Sequence, residues 1–175
     1  MKYFLVEVDE QYMAPTLLGW FGVIDKKTLA GKGPHQIGRH LLFPVESNMQ
    51  MIFTDMITFP CFMVSEMMKD TIGQYDPSVQ FARVILCDRE RKQSMAYYLP
   101  FLEQVGIRGK MTEIGTGILS CTCVEGNIIS DQVLIELTDQ EKYYLTVRMD
   151  LLESILRRGA VGLGIKEIQI MHEGD

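Results

Sequence analysis

The sequence predicts an α+β fold, a single domain over residues 1–175 with a mainly antiparallel twisted sheet and two or more short helices. The chain has 175 residues, of which 47 % are hydrophobic and 23 % charged, which is enough for one domain to bury its own core. Several short segments alternate apolar and polar residues, as half-buried strands do. Two segments, 56–86 and 143–170, share the pattern strand, short helix, strand, which indicates a pseudo-repeat.

The first strand is predicted at Tyr3–Val8, where the sequence YFLVEV alternates. Residues 25–40 follow as an irregular loop, because they hold three Gly, one Pro and five charges. An apolar, strand-like segment resumes at Leu41–Val45. The run Met56–Val64 is also strand-like, but Pro60 interrupts it and indicates an edge strand or a bulge.

A helix is predicted after Ser65, whose hydroxyl can cap the first turn. Residues at spacings of four and three form one apolar stripe on this helix: Met68, Ile72 and Tyr75. The sequence Asp76-Pro77-Ser78 ends the helix. Two further strands are expected next, at residues 79–86 and 95–99.

The later part of the chain predicts an antiparallel meander. Gly117–Val124 alternates, and Glu125-Gly126-Asn127 favours a hairpin because Gly and Asn accept positive φ. A last helix is predicted from about Asp150, as its N-cap, to a left-handed cap at Gly159. Leu163–Ile170 follows as the closing strand.

Charge is distributed unevenly along the chain. The acidic stretch, defined here as Met111–Glu141, contains six carboxylates and no Lys, Arg or His, although average composition predicts about three bases in such a window. The rest of the chain balances 17 acids against 17 bases, so this stretch carries the whole net charge of −6. This pattern favours a binding protein with a basic partner over one that binds nucleic acid or an anionic membrane.

Composition also bounds the compartment. No run of eighteen apolar residues is present, so a membrane span is not expected, and the N-terminal segment predicts a strand and not a secretory signal. The four cysteines lie in apolar, strand-like surroundings, which favours free thiols in a reducing cytoplasm. A disulfide between Cys121 and Cys123 is not expected, because side chains two apart on one strand face lie about 7 Å apart.

The sequence contains no recognisable catalytic frame, and we expect neither an enzyme nor a cofactor. His35, His40 and His172 lie in the predicted loop and at the C-terminus, outside any motif with a mechanism. Gly31-Lys32-Gly33 lacks the spacing and the Ser or Thr of a phosphate-binding loop.

A metal site remains an open alternative. Cys121 and Cys123 share a predicted strand face, and His35 and His40 have a five-residue offset, but a second pair of ligands at zinc-site spacing is missing. Packed core thiols are the favoured interpretation, and no metal is expected.

Two segments carry a family resemblance. FMVSEMMKDTI leads to VQFARVIL, and YYLTVRMDLLESILRRGAVGLGIKEI covers Tyr143–Ile168. Over about residues 50–170 this order of strand, helix, Gly-containing connection and closing strand resembles a myxobacterial-type family of bacterial immunity proteins, long catalogued as a domain of unknown function. The resemblance implies a small α+β protein that binds and neutralises a cognate polymorphic toxin. It supplies no active-site residues.

The sequence therefore predicts a non-catalytic, cytoplasmic immunity protein whose partner is a basic toxin domain. The predicted partner-binding residues are the acids Glu125, Asp131, Glu136, Asp139 and Glu141. One alternative is a small-ligand-binding or metal-binding domain, possibly enzymatic, with a site near the 25–40 loop that uses Lys32, His35 or His40. Another is a self-associating protein that pairs through an exposed edge strand. The identity of the toxin and the oligomeric state stay open.

Overall fold

The computed structural model describes residues 1–38, 41–124, 129, 132–139 and 141–171. Strand accounts for 46 % of the structure and helix for 16 %, so the fold is mainly β and the predicted α+β class is wrong. The elements in chain order are β1 (Tyr3–Val8), α1 (Lys26–Leu29), a 3₁₀ turn (Pro34–Gln36), β2 (Leu41–Pro44), β3 (Met56–Ile57), β4 (Met63–Ser65), α2 (Glu66–Tyr75), β5 (Gln80–Asp88), β6 (Gln93–Phe101), β7 (Gln104–Ile114), β8 (Ile118–Cys123), β9 (Leu134–Thr138), β10 (Tyr143–Arg148), α3 (Met149–Arg157) and β11 (Leu163–Met171).

The chain divides into two compact units. The barrel unit comprises Met1–Glu7, Leu102–Gly159 and Gly164–Asp175, and the sheet unit comprises Val8–Phe101 and Ala160–Leu163. Each unit is built around a core of its own. That the whole chain behaves as one domain stays a prediction.

The barrel unit closes six strands in the order β1, β10, β9, β7, β8 and β11. The pairs β1/β10, β10/β9 and β7/β8 are antiparallel, whereas β9/β7 and β8/β11 are parallel. The predicted meander is therefore wrong, because a meander pairs successive strands and here β7 lies between β8 and β9. Closure leaves this sheet without an edge strand.

Apolar side chains fill the barrel. Tyr3 from β1, Val105 and Ile107 from β7, Cys121 and Cys123 from β8, Ile135 and Leu137 from β9, and Ile168 from β11 form its buried cluster. On β9 the sequence LIELT places alternate residues on opposite faces, so Ile135 and Leu137 enter this cluster and Leu134 and Glu136 do not. The predicted shared face of Cys121 and Cys123 is confirmed.

The sheet unit contains a five-stranded sheet in the order β2, β5, β6, β4 and β3. β2 is parallel to β5, and the other pairs are antiparallel. The run predicted as one strand over Met56–Val64 is split into β3 and β4, and Pro60 lies in the connection between them. Its core contains the apolar residues Leu17, Ile24, Leu41, Phe43, Val45, Met51, Ile57, Cys61, Met63, Val84, Leu86, Tyr97 and Leu99.

The two longer helices are close to their predicted positions. Oγ of Ser65 accepts a hydrogen bond from the backbone N–H of Met68 at 3.4 Å, so the predicted cap of α2 is confirmed. At α3, Arg148 occupies the N-cap position without a side-chain cap, and Asp150 lies inside the first turn, bound to the Arg148 guanidinium at 2.7 Å. The predicted cap at Asp150 is therefore wrong.

The two predicted pseudo-repeat segments do contain strand, helix and strand in that order, as β4–α2–β5 and β10–α3–β11. Their pairing differs, since β5 is bonded to β2 and β6 in an open sheet while β11 belongs to the closed barrel. Whether the likeness is a true repeat stays a prediction.

The connection Ala160–Leu163 is held within the sheet unit. The N–H of Val161 donates to Oδ2 of Asp55 at 2.6 Å, and the N–H of Asp55 donates to the carbonyl of Val161 at 3.0 Å. Gly162 has a φ of +81°, and a Cβ at this position would lie 2.5 Å from Cγ2 of Thr54. Only glycine satisfies both the backbone conformation and the space.

The helices of the described residues are all too short or too polar to cross a membrane.

Candidate functional site

The acidic stretch does not form one exposed cluster among the residues that the structure describes. Glu113 and Glu141 are exposed, Asp139 is half-buried and Glu136 is buried. Glu125 and Asp131, together with the predicted hairpin turn at 125–127, lie outside the described residues.

Glu136 is only 5 % exposed on β9, where it lies opposite Gln104 of β7 and Leu145 of β10. A carboxylate covered in this way offers almost no surface to a partner. Among the five predicted partner-binding residues, Glu136 is the one whose burial argues against contact with a partner. Its position follows from the alternation of β9, which directs Glu136 away from the barrel core but not into solvent.

Asp139 stabilises the turn between β9 and β10. Its Oδ1 accepts hydrogen bonds from the N–H groups of Glu141 at 3.1 Å and Lys142 at 2.8 Å, and its Oδ2 accepts one from the Tyr144 hydroxyl at 3.0 Å. Burial acts to raise the pKa of Asp139, but these hydrogen bonds and the charge of Lys110 outweigh it and lower the pKa. Burial and the same carboxylate raise the pKa of Tyr144 to about 12. Asp139 therefore has a structural role that is independent of any partner.

Glu141 has a cationic neighbour. Its Oε2 lies 3.6 Å from Nζ of Lys110, and both side chains are well exposed. Lys110 directly precedes the acidic stretch and Lys142 directly follows it. The fold therefore brings a positive charge next to a stretch whose own sequence contains none. The local field is thus weaker than the sequence count suggests.

The excess of negative charge nevertheless belongs to one unit. By sequence count the barrel unit contains 13 acidic and 8 basic residues, a net −5, and the sheet unit contains 10 and 9, a net −1. Four of the 13 acids, Glu125, Asp131, Glu173 and Asp175, lie outside the described residues, so the described part of the barrel unit contains nine acidic and eight basic residues.

Cys121 and Cys123 are packed in the barrel core, and Cys61 is packed in the core of the sheet unit. Burial, and secondarily the charge of Cys123, raises the pKa of the Cys121 thiol to about 12, and burial also raises that of Cys123. None of the four cysteines forms a disulfide bond in the described structure. Within the described ranges, no three His, Cys, Asp or Glu side chains are grouped as metal ligands would be, and His40 and His172 fall outside those ranges.

The predicted irregular loop contains regular structure in its described part, residues 25–38, namely α1 and the 3₁₀ turn. Asp25 caps α1, with its carboxylate accepting hydrogen bonds from the N–H and the hydroxyl of Thr28. Lys32 and His35 are exposed. A groove of about 360 Å³ lies on this unit, but Leu18, Gly19, Val23 and β2 line it, and neither Lys32 nor His35 does.

An aromatic surface lies on the sheet unit, partly within a segment for which the sequence favours burial over a contact patch. It consists of Trp20, Phe21 and Phe59, and the rings of Phe21 and Phe59 lie edge-on to Trp20 at centroid distances of 5.9 and 5.0 Å. Phe21 is 82 % exposed and Phe59 is 64 % exposed, whereas Trp20 also packs on the core of the unit. The run Leu17-Leu18-Gly19-Trp20-Phe21 could form a contact patch, but a lone Trp among Leu and Phe favours burial.

The turn that presents this surface is fixed by hydrogen bonds. The carbonyl of Trp20 accepts from the N–H groups of Val23 at 3.0 Å and Ile24 at 3.1 Å. The carboxylate of Asp25 accepts from the N–H of Gly22 at 2.6 Å. Hydrogen bonds before and after Phe21 thus fix the turn that holds this side chain outward. The aromatic surface is therefore preorganised for contact.

Comparison with known proteins gives no matching family model and no curated protein with significant similarity to this chain.

Proposed function

We propose that this chain is a non-catalytic immunity protein, which binds a basic cognate toxin domain and thereby neutralises it. The observation that carries the proposal is the charge of the barrel unit, with 13 acidic against 8 basic residues. The resemblance of the two strand–helix–strand segments to an immunity family supplies the class of partner.

The mechanism is attraction followed by occlusion. Exposed carboxylates such as Glu113 and Glu141 attract a cationic surface over about one Debye length, roughly 8 Å at physiological salt. Such steering raises the association rate more than it slows dissociation. A toxin that acts on a phosphate-bearing substrate holds that substrate with basic side chains, and a bound acidic protein would cover them.

The predicted contact residues contribute unequally to this proposal. Glu141 is exposed and fits the role, and Glu125 and Asp131 remain predicted contributors. Asp139 adds charge while it stabilises its turn. Glu136 is left out because it is buried.

The test begins with the genes next to this one, where we expect a large secreted protein with a variable C-terminal toxin domain, and the absence of such a gene would count against the proposal. Co-expression of the full chain with that domain should restore growth of a sensitive host, and an unrelated toxin should remain lethal. The purified pair should form a stoichiometric complex by calorimetry. Lethality that persists despite soluble full-length chain, or a complex that leaves the toxin active, would overturn the proposal.

The alternative of a ligand site in the 25–40 loop gains no specific support. Lys32 and His35 are exposed and do not line the groove next to β2. We therefore propose no second function for that loop.

A further inference from the structure

The aromatic surface has the composition of a binding hot spot. Trp and other large aromatic side chains dominate the energetics of protein interfaces, and here the rings of Trp20, Phe21 and Phe59 are in mutual contact. Two of these rings are mostly exposed, although most soluble proteins bury such side chains. Their turn is already fixed, so little conformational entropy would be lost on binding.

An apolar groove is lined in part by residues that neighbour Trp20 and Phe21 in the sequence. Leu18, Gly19 and Val23, which flank the aromatic pair in sequence, form one wall, and β2 forms the other. β2 is an edge strand of the five-stranded sheet, and Leu42 at its centre is 56 % exposed. In the parallel pairing of β2 with β5, the backbone N–H and C=O groups of successive residues point alternately toward β5 and away from it. The N–H of Val45 points toward β5, so the N–H and C=O of Leu42 point away from β5. The groove therefore offers apolar side chains and the outward backbone N–H and C=O of Leu42.

The charge around this surface is positive. The described residues of the segment Gln11–Val45 include three Lys, at positions 26, 27 and 32, and a single acid, Asp25. That carboxylate is occupied by its hydrogen bonds to Gly22 and Thr28. Nζ of Lys26 lies 4.5 Å from the centroid of the Phe62 ring, three residues along the chain from Phe59, which places a cation close to the aromatic surface.

We propose that the aromatic surface and the adjoining groove bind an acidic protein segment that carries an apolar side chain. The apolar side chain enters the groove beside Leu42, and flanking carboxylates face Lys26 and Lys27. This is a second interaction surface, distinct from the acidic barrel unit and complementary to a partner of opposite charge. It does not depend on the immunity proposal.

A protein segment fits better than single-stranded nucleic acid. Bases stack on exposed ring faces, whereas Phe21 and Phe59 meet Trp20 edge-on, and the one aromatic residue that lines the groove, Phe43, is buried. The chain as a whole is also negative, with a net charge of −6, which disfavours a long polyanion. A short acidic segment meets only the local positive charge.

The first experiment is a selection from a random twelve-residue peptide library on the immobilised full chain. The Phe21→Ala chain serves for counter-selection, and its circular dichroism spectrum should match that of the wild type because Phe21 is exposed. Sequences enriched on the wild type should combine Asp or Glu with Leu, Phe or Trp. Enrichment of basic peptides, or no enrichment over the Phe21→Ala chain, would overturn the proposal.

The second experiment measures affinity through fluorescence. Trp20 is the single Trp of the chain, so its emission reports on this surface alone. For the most enriched peptide, Phe21→Ala and Lys27→Glu should each weaken binding about tenfold or more, which corresponds to the roughly 1.4 kcal/mol per decade of affinity. Met49→Ala, at an exposed apolar residue of the same unit, should leave binding unchanged.

The same purified proteins distinguish an acidic peptide from two other possible ligands of this surface, a single-stranded nucleic acid and a second copy of the chain. A single-stranded oligonucleotide that shifts Trp20 emission as strongly as the peptide would overturn the assignment to protein. Light scattering that shows a dimer of the free chain, lost on Phe21→Ala, would assign the surface to a second copy and would also overturn it. A monomeric chain that binds the acidic peptide supports the proposal.

Discussion

The barrel unit and the sheet unit differ in what they expose. By sequence count the barrel unit carries a net −5, and its exposed apolar residues include Ile114 and Leu156 as well as Met1 and Met171, which line one groove. The sheet unit is nearly neutral, and it exposes the aromatic surface. The aromatic contact area thus lies on the unit with the smaller net charge, and the two features govern different steps, because charge acts on the association rate and apolar contacts act on dissociation.

The two units also differ at otherwise similar glycines. Gly162 in the sheet unit and Gly159 in the barrel unit have φ values of +81° and +80°, but only Gly162 has an atom where a Cβ would lie. Gly162→Ala should lower the free energy of unfolding by about 3 kcal/mol, because backbone strain adds to the clash with Thr54. Gly159→Ala should cost about 1 kcal/mol from backbone strain alone. Urea denaturation of both variants gives the comparison, and equal costs would contradict the close approach at Thr54.

One buried hydroxyl in each unit can be removed to measure what its hydrogen bonding contributes to stability. The Tyr97 hydroxyl donates to the carbonyl of Thr54 at 2.7 Å, whereas Oγ1 of Thr146, which shares the barrel face of Ile135, has no hydrogen-bond partner in the described structure. Tyr97→Phe should therefore destabilise the protein by about 1.5 kcal/mol, and Thr146→Val should stabilise it by about 1 kcal/mol. Thermal unfolding of the two variants should give shifts of opposite sign. A destabilising Thr146→Val would mean that the hydroxyl is bound after all.

Prediction from sequence was most successful where local pattern decides. β1 and α2 have the predicted positions, because alternation over six residues and a Ser cap are local signals. The missed strand β7 is the decisive counterexample. It contains Gly106 and Gly109, and a register shift between Arg108 and Thr112 follows the positive φ of Gly109, so its residues lack a strand-like alternation. Without β7 neither its parallel pairing with β9 nor the closure of the barrel can be inferred.

The candidate site shows the same limit. The charge count of the acidic stretch was read correctly, but the cation that faces Glu141 comes from β7, the strand that was missed. The burial of Glu136 depends on tertiary neighbours, which alternation on β9 does not reveal. The exposure of Phe21 likewise depends on hydrogen bonds that close its turn.

Asp139 connects the stability of the barrel unit to pH. Its lowered pKa means that the ionised form is favoured in the folded state, so its contribution is present above the unfolded pKa near 4 and is lost as pH falls through the folded pKa. Asp139→Asn should cost about 1 kcal/mol at pH 7, because an amide is a weaker acceptor for the N–H groups of Glu141 and Lys142. The difference from wild type should shrink below about pH 4. Urea titrations at pH 7 and pH 3 measure it, and a difference that is constant with pH would contradict this role.

The exposed pair of Lys110 and Glu141 should matter least for stability. A double-mutant cycle with Lys110→Ala and Glu141→Ala should give a coupling of about 0.5 kcal/mol or less, because both side chains are well exposed. Lys110→Ala should nonetheless accelerate association with a basic partner, since it removes a positive charge beside the acidic stretch. A coupling well above 1 kcal/mol would show that the pair is more rigid than its exposure implies.

The central claim, that the negative charge of the barrel unit steers a basic toxin domain, is tested most directly by the association rate at several salt concentrations. Two matched variants each reverse two exposed acids, Glu113→Lys with Glu141→Lys in the barrel unit and Glu10→Lys with Glu90→Lys in the sheet unit. We expect the barrel-unit variant to associate at least about fivefold more slowly at low salt, with the difference disappearing at high salt, and the sheet-unit variant to stay close to wild type. Equal effects of the two variants, or a rate that is insensitive to salt, would contradict the claim.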